Sequence, residues 1–119
     1  MFPQQIGQAA SRNPELVKKG AQITAYETRA SGIPWNFSPV LDLGMDPRFS
    51  RMWESFGEDP YLTSVLGVAM IDGYEGEDNN IGHPHHLAST MKHFLGYHAV
   101  TSGKDRTPAY IPDDVLREY

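Results

Sequence analysis

Apolar and polar positions along the chain fall into two rhythms. In "RNPELVKKGAQITAYETRASG", Leu16, Ile23 and Ala30 recur near helical spacing on an otherwise polar strip. Asn13 stands where a helix cap belongs, Pro14 suits the first turn, Glu15 complements the positive end of the dipole, and Gly32 provides the stop. "EDPYLTSVLGVAMIDGYEG" repeats this grammar, with Asp59 as cap, Pro60 at the first position, an apolar face from Leu62 to Ile71 and glycines at the exit. It predicts a helix over Pro60–Tyr74. Between the two, "IPWNFSPVLDLG" is rich in aromatic and β-branched residues and predicts a strand near Trp35–Leu41, although Pro34 and Pro39 confine regular pairing to a short stretch. "LASTMKHFL" predicts a second strand near Leu87–His93, and "IPDDVLREY" reads as the first turns of a further helix.

The predicted order is helix, strand, helix, strand, start of helix. That alternation implies an α/β class with a parallel sheet and helical crossovers. Two long loops rich in charged residues follow the two strands, and in such folds chemistry gathers at the carboxyl ends of strands.

Composition narrows the picture. A length of 119 residues suits one small domain, and a hydrophobic fraction of 39% is globular. Eleven glycines and nine prolines, spread along the chain, indicate many turns. A formal net charge of -5 argues against a nucleic-acid partner. No apolar run approaches the roughly 18 residues of a membrane span, so no membrane partner is expected. "MFPQQIGQ" has neither a basic region nor an apolar core, so no secretory leader is expected there. With no cysteine, disulfides and thiol chemistry are excluded.

The loop "DPRFSRMWESFGEDP" concentrates Asp46, Arg48, Arg51, Glu54, Glu58 and Asp59 around Phe49, Trp53 and Phe56. Most of these charges read as ion pairs over a small aromatic core. Arg51 has a sharper reading, because a guanidinium fork held by carboxylates can donate two parallel hydrogen bonds to vicinal hydroxyls. Lys92 and His93 stand at the mouth of an apolar strand, where a lysine is costly to bury without a partner or ligand. "HPHH", His83 to His86, reads as a loop rather than a metal site: His85 and His86 are adjacent and no carboxylate stands at ligand spacing. "SGKDRTP" lacks the strand–loop–helix pattern of a phosphate loop and reads as a turn stabilised by Asp105 and Arg106.

Taken in order, "FPQQIGQAASRNPELV", "ITAYETRASGIPWNFSPVLDL", "DPRFSRMWESFGEDP" and "KHFLGYHAVTSGKDRTP" resemble the N-terminal barrel domain of glycoside hydrolase family 3, the β-glucosidase type. The resemblance covers nearly the whole chain. It implies a segment of a (β/α)8 TIM-type barrel, incomplete at both ends, with residues 1–119 forming part of that N-terminal domain. It implies retaining hydrolysis of non-reducing-end β-glucosyl residues by an aspartate nucleophile and a glutamate acid/base, with no metal or other cofactor. The implied partners are a β-glucoside or β-glucan oligosaccharide, the remainder of the barrel and a second α/β domain. By the resemblance, Arg51, Lys92 and His93 hold hydroxyls of the sugar. Asp46, Arg48, Glu54, Glu58 and Asp59 match residues that shape the loop. "KHFLGYH" differs from the "KHFPGHG" pattern of the N-acetylglucosaminidase branch and leans to the glucosidase branch.

No catalytic residue is assigned in this chain. The family's nucleophile belongs to a later "SDW"-type motif, its acid/base to still later sequence, and a further sugar-binding aspartate to a position before Met1. Retaining glycosidases need two carboxylates roughly 5 Å apart, and every carboxylate here has an easier reading as cap, ion-pair partner or solvated group. A complete barrel takes roughly 250 residues. A barrel segment acting as a non-catalytic glycan-binding or interaction module is the alternative, and a compact flavodoxin-like domain is a third. One further expectation concerns the backbone. Successive side chains of a regular strand point to opposite faces, so Lys92 and His93 share one ligand only if the chain departs from strand geometry between Lys92 and Gly96, through a bulge, an unusual dihedral or a cis peptide.

Overall fold

The computed structural model describes residues 1–119. Four α-helices, α1 Gln5–Ala10, α2 Pro14–Ala30, α3 Pro60–Glu75 and α4 Asp113–Glu118, are joined by two extended segments and long loops, one of which carries a 3-10 turn at Met52–Glu54. No helix is long and apolar enough to cross a membrane.

The capping chemistry of α2 and α3 follows the sequence. The Asn13 side chain accepts from the Leu16 N–H at 3.0 Å, with Pro14 and Glu15 in the first turn and Arg29 in the last. Asp59 Oδ1 accepts from the N–H groups of Tyr61 and Leu62 at 2.8 and 3.2 Å. Each cap satisfies donors that the helix itself leaves free, worth about 1 kcal/mol apiece.

The buried face of α2 differs from the expected one. Leu16 and Ile23 are 57% and 40% exposed, whereas Val17, Ala21 and Ala25 are at most 3% exposed. The core faces the smaller residues because α3 comes very close there. A β-carbon placed on Gly73 would stand 2.5 Å from the Ala21 β-carbon and 2.5 Å from the Lys18 carbonyl oxygen. Only small residues on both helices allow that approach. Leu66, Met70 and Tyr74 of α3 join Phe56 and Leu87 in the same core, and Ala9 brings α1 onto it. Fully burying a side chain such as Leu66 or Leu87 contributes roughly 1.5–3 kcal/mol.

The two extended segments run parallel, as expected. Trp35 pairs with Ala88 and Val40 with Lys92. Between them Ala88 N donates to Pro34 O, Asn36 N to Ala88 O, Thr90 N to Ser38 O, Lys92 N to Pro39 O and Leu41 N to Lys92 O, at 2.8–3.1 Å. They do not form the continuous strands expected over Trp35–Leu41 and Leu87–His93; the pairing is two isolated bridges. The cause lies in the chain itself. Five steps separate Trp35 from Val40 while four separate Ala88 from Lys92, so one residue of the first segment goes unmatched. Pro39 falls within that stretch and has no N–H to donate. The second segment is anchored at its start: Leu87 N donates to Tyr74 O at 2.9 Å, and Glu75 Oε1 accepts from Ser89 N and Oγ at 2.9 and 2.6 Å.

Helix α1 was not evident in the sequence, because its residues QIGQAA carry no side-chain cap and no acidic first turn. It matters for the first segment. Gln5 is buried, donates through Nε2 to Val40 O at 2.7 Å, and accepts at Oε1 from Val40 N at 2.9 Å. Because the segments are parallel, the loops after Leu41 and after Lys92 leave the helical core at the same end.

Candidate functional site

At that end, Asp42 follows the first segment and Lys92–His93 closes the second. Asp42 is buried, and a carboxylate buried among apolar neighbours must be hydrogen-bonded to persist. Its Oδ2 accepts from the His93 N–H at 2.9 Å and from His93 Nδ1 at 2.7 Å. With Nδ1 donating to the carboxylate, Nε2 is the nitrogen left for a ligand. His98 also lies near Asp42, its Nε2 3.8 Å from the same oxygen, which is beyond hydrogen-bond length. It is buried against Phe49, with neither ring nitrogen hydrogen-bonded. Burial pushes the His98 imidazole below its ordinary value, outweighing the opposite pull of Asp42.

The expected departure from strand geometry is present. The Lys92–His93 and Phe94–Leu95 peptide bonds are cis, and Gly96 has φ 76°, a region that its missing β-carbon opens to it. Lys92 and His93, although adjacent, both line one cavity of about 530 Å³ together with Asp42 and His98.

Arg51 comes from the loop after the first segment, at the start of the 3-10 turn. Its Nε and Nη2 donate to the two carboxylate oxygens of Glu54, both at 2.8 Å, the bidentate geometry that favours arginine. Nη1 donates to the Tyr97 hydroxyl at 3.3 Å, and the guanidinium carbon lies 5.6 Å from the Tyr97 ring centre. Glu54 holds the Arg51 guanidinium charged well above its ordinary value, and Arg51 in turn holds the Glu54 carboxyl below the usual range. Lys92 and His93 add to the field on Glu54. Of the five N–H donors of a guanidinium, these contacts occupy three, leaving two for a ligand.

Arg51 and His93 therefore both touch Tyr97, with the His93 and Tyr97 rings 4.5 Å apart. Lys92 stands next to His93, half-buried at the cavity wall, whereas Arg51 is outside the cavity lining. Three other charges of the loop have partners within the chain. Arg48 pairs with Asp46 at 2.7 Å on the surface, and Asp59 caps α3. The "SGKDRTP" turn has more holding it than the expected Asp105 and Arg106. Ser102 Oγ meets Thr107 Oγ1 at 2.6 Å and accepts from Lys104 N at 3.1 Å, so hydroxyls close the turn. Asp105 accepts from the Tyr97 hydroxyl, while the N–H and the charge of Arg106 also act on its carboxylate. His83, His85 and His86 cluster ring against ring, with His83 Nδ1 accepting from His85 N and His86 Nδ1 3.0 Å from Asn80 O.

Asp42, His93 and His98 bring three ligand-type atoms within 4.8 Å of one another. The fit to a metal is poor. Ligands about 2.0–2.2 Å from a tetrahedral ion stand more than about 3 Å apart, while Asp42 and His93 meet at 2.7 Å, a hydrogen-bond distance.

Sequence reasoning missed Asp42 and Tyr97. The signal for Asp42 was available: a lone carboxylate inside the apolar run "SPVLDLG" must find a donor. Tyr97 gave none, since its partners are 46 and 8 residues away.

Comparison with known proteins fits this arrangement. The family described as "Glycosyl hydrolase family 3 N terminal domain" matches residues 1–119. A lysosomal beta glucosidase of Dictyostelium discoideum is 48% identical over 122 residues, covering 100% of this chain and 15% of that protein. A beta-xylosidase of Formosa agariphila is 45% identical over 98 residues, covering 82% of this chain and 14% of the other. The crystal structure of a mutant beta-glucosidase from Listeria innocua in complex with laminaribiose superposes with a TM-score of 0.87 at 38% identity, over 95% of this chain and 16% of that one. The chain thus spans about 15% of the length of the curated relatives it matches. With the family profile spanning all 119 residues and the polar cluster lying where the two parallel segments end, the chain belongs to glycoside hydrolase family 3.

Proposed function

We propose that this chain is a segment of the (β/α)8 barrel of a retaining β-glucosidase-type hydrolase, in which Arg51, Lys92 and His93 bind the sugar at the non-reducing end. One observation carries the reading: Asp42 fixes His93 through two hydrogen bonds while Lys92 stands next to it on the same cavity. Two parallel segments that end together, with helices on one side and charged loops at their carboxyl ends, are the arrangement of a barrel strand pair.

The chemistry follows from donor counts. A sugar ring presents vicinal hydroxyls, each able to accept and to donate. Arg51 offers two free N–H groups, Lys92 an ammonium, and His93 Nε2 a ring nitrogen. Each charged donor to a hydroxyl contributes about 1.5–3 kcal/mol when the site excludes water. Such contacts raise the rate only as far as they tighten in the transition state, where the ring flattens and its hydroxyls shift.

The carboxylates of this site support a binding role rather than attack on the anomeric carbon. Asp42 is committed to His93, Glu54 to Arg51 and Asp105 to Tyr97. The nucleophile and acid/base belong to other parts of the enzyme, as does the second domain. The substrate class is a β-glucoside or short β-glucan, and the beta-xylosidase relative extends it to β-xylosides.

The test uses the whole enzyme that carries this chain. Arg51→Ala, Lys92→Ala and His93→Ala are each expected to lower kcat/KM on an aryl β-glucoside by at least about tenfold, equivalent to about 1.4 kcal/mol. Wild-type kinetics in all three would remove the site. The 119-residue chain alone is expected to release no glucose; steady release abolished by changing one of its own carboxylates would overturn the division of labour.

A further inference from the structure

Tyr97 occupies a position that the sugar-binding reading does not use. Its hydroxyl accepts from Arg51 Nη1 at 3.3 Å and donates to Asp105. Its ring packs at 4.5 Å from the His93 ring and edge-on, at 5.6 Å, against buried Phe49. Four residues from three separate stretches therefore meet on one side chain.

We propose that Tyr97 is a positioning residue that sets Arg51 and His93 relative to one another, with Asp105 orienting its hydroxyl. This deepens the proposed function and rests on it.

The physical case has three parts. First, Arg51 is held from both sides. Glu54 takes the Nε–Nη2 edge and fixes the plane of the guanidinium, but a plane can still swing about that edge. The contact from Nη1 to Tyr97 stops the swing. A guanidinium anchored at one edge and one corner holds its two remaining N–H groups in fixed directions.

Second, the Tyr97 hydroxyl has one proton, and that proton must leave the oxygen facing Arg51 with a lone pair rather than a hydrogen. Asp105 accepts it. The contact with Tyr97 is also the chief reason why the Asp105 carboxyl lies below the usual range, with Arg106 and Arg51 contributing. Without an acceptor at Asp105, the hydroxyl hydrogen is free to rotate toward the Arg51 N–H, which repels it.

Third, His93 is held at Nδ1 and at its backbone N–H by Asp42, so its ring turns only by giving up the Nδ1 bond. The Tyr97 ring, tilted 47° to the imidazole with centres 4.5 Å apart, fills the space next to it and opposes such a turn. The same residue thus sets the donor direction of Arg51 and the direction of His93 Nε2. The "SGKDRTP" turn, closed by Ser102 and Thr107, is what brings Asp105 to this point.

The experiment is a set of double-mutant cycles on the whole enzyme, read as kcat/KM on an aryl β-glucoside and as inhibition by glucose. Tyr97→Phe keeps the ring and removes the hydroxyl. It is expected to lower kcat/KM about three- to tenfold and to weaken glucose inhibition by a similar factor, less than the loss of a direct charged hydrogen bond. In an Arg51→Ala background the same change is expected to do almost nothing, because its effect runs through Arg51. Asp105→Ala is expected to resemble Tyr97→Phe and not to add to it, and Asp105→Asn, which keeps an acceptor oxygen, to recover most of the loss. Tyr97→Leu removes the ring as well, and its extra loss is expected to vanish in a His93→Ala background.

Unchanged kinetics in Tyr97→Phe, or a loss that adds in full to that of Arg51→Ala, would overturn the proposal while leaving sugar binding by Arg51 intact. Wild-type kinetics in Arg51→Ala would overturn both readings together. If Tyr97→Phe does not fold, Asp105→Ala and Asp105→Asn against Arg51→Ala read the same coupling from its other end.

Discussion

The α2–α3 pair and the loop layer beyond the parallel segments are held together by different forces. The helices meet through small residues and apolar burial, with Gly73 against Ala21 and Leu66 and Met70 in the core behind them. The loops meet through polar pairs that span long stretches of chain, Asp42 to His93 and Arg51 to Tyr97. Apolar packing is non-directional and tolerates repacking. A hydrogen-bonded ion network depends on direction, and losing one member leaves the rest unpaired. Changes in the helices should therefore be felt as stability, and changes in the loops as activity with smaller effects on stability.

Asp42 is where the two regimes overlap, and it should give the largest effect. Asp42→Ala leaves two His93 donors without an acceptor inside the protein. It is expected to lower kcat/KM of the whole enzyme at least about tenfold and to destabilise it by about 2–3 kcal/mol. A variant with normal kinetics and a lowered melting temperature would break the comparison, by making Asp42 purely structural.

Gly73→Ala tests the helical side. Alanine is about 1 kcal/mol better than glycine inside a helix. Against that, the new methyl would stand 2.5 Å from a backbone carbonyl oxygen that cannot simply rotate away. The clash should win, with a net loss of about 2 kcal/mol in urea unfolding and unchanged KM. Gly67→Ala in the same helix meets only the tip of the Leu41 side chain, at 2.7 Å, which can move. It is expected to be nearly neutral, and a loss as large as that at Gly73 would show that space, not backbone contact, decides.

Asp59→Ala removes the cap of α3 and is expected to cost about 1 kcal/mol, read from the shift in denaturation midpoint, with kinetics unchanged.

The smallest expected effect is a slope. An imidazole in the unfolded chain titrates near pH 6.5, about where His98 would if it were not buried. Because burial holds His98 lower in the fold, the unfolded chain takes up a proton that the folded one refuses. Stability is then constant with respect to this group above about pH 6.5 and falls as pH drops through that value toward the folded one. His98→Gln should flatten this part of the stability–pH curve, and an unchanged curve would show that His98 does not contribute to it.

What the sequence made legible divides along the same line. Helices α2 and α3 could be bounded from Asn13, Pro14, Asp59 and Pro60, because capping acts over three or four residues. The parallel direction of the two segments was also legible. Their continuity was not, because the mismatch between Trp35–Val40 and Ala88–Lys92 belongs to the pair and not to either segment. The buried face of α2 was misjudged for the same kind of reason: Ala21 and Ala25 outrank Leu16 only once α3 approaches so closely. In the loops, Arg51, Lys92 and His93 stood out through family resemblance, whereas nothing local marks Tyr97 or the turn of Asp105 toward it.

Gln5 has a consequence for how further strands can join. A side-chain amide carries the same donor and acceptor as a peptide group, and here it takes both the N–H and the C=O of Val40 on the side facing away from Lys92. A strand arriving on that side would find no free partner at Val40. Pairing must begin before or after this residue, so one glutamine on a short helix sets the register in which the next part of a sheet can be laid down.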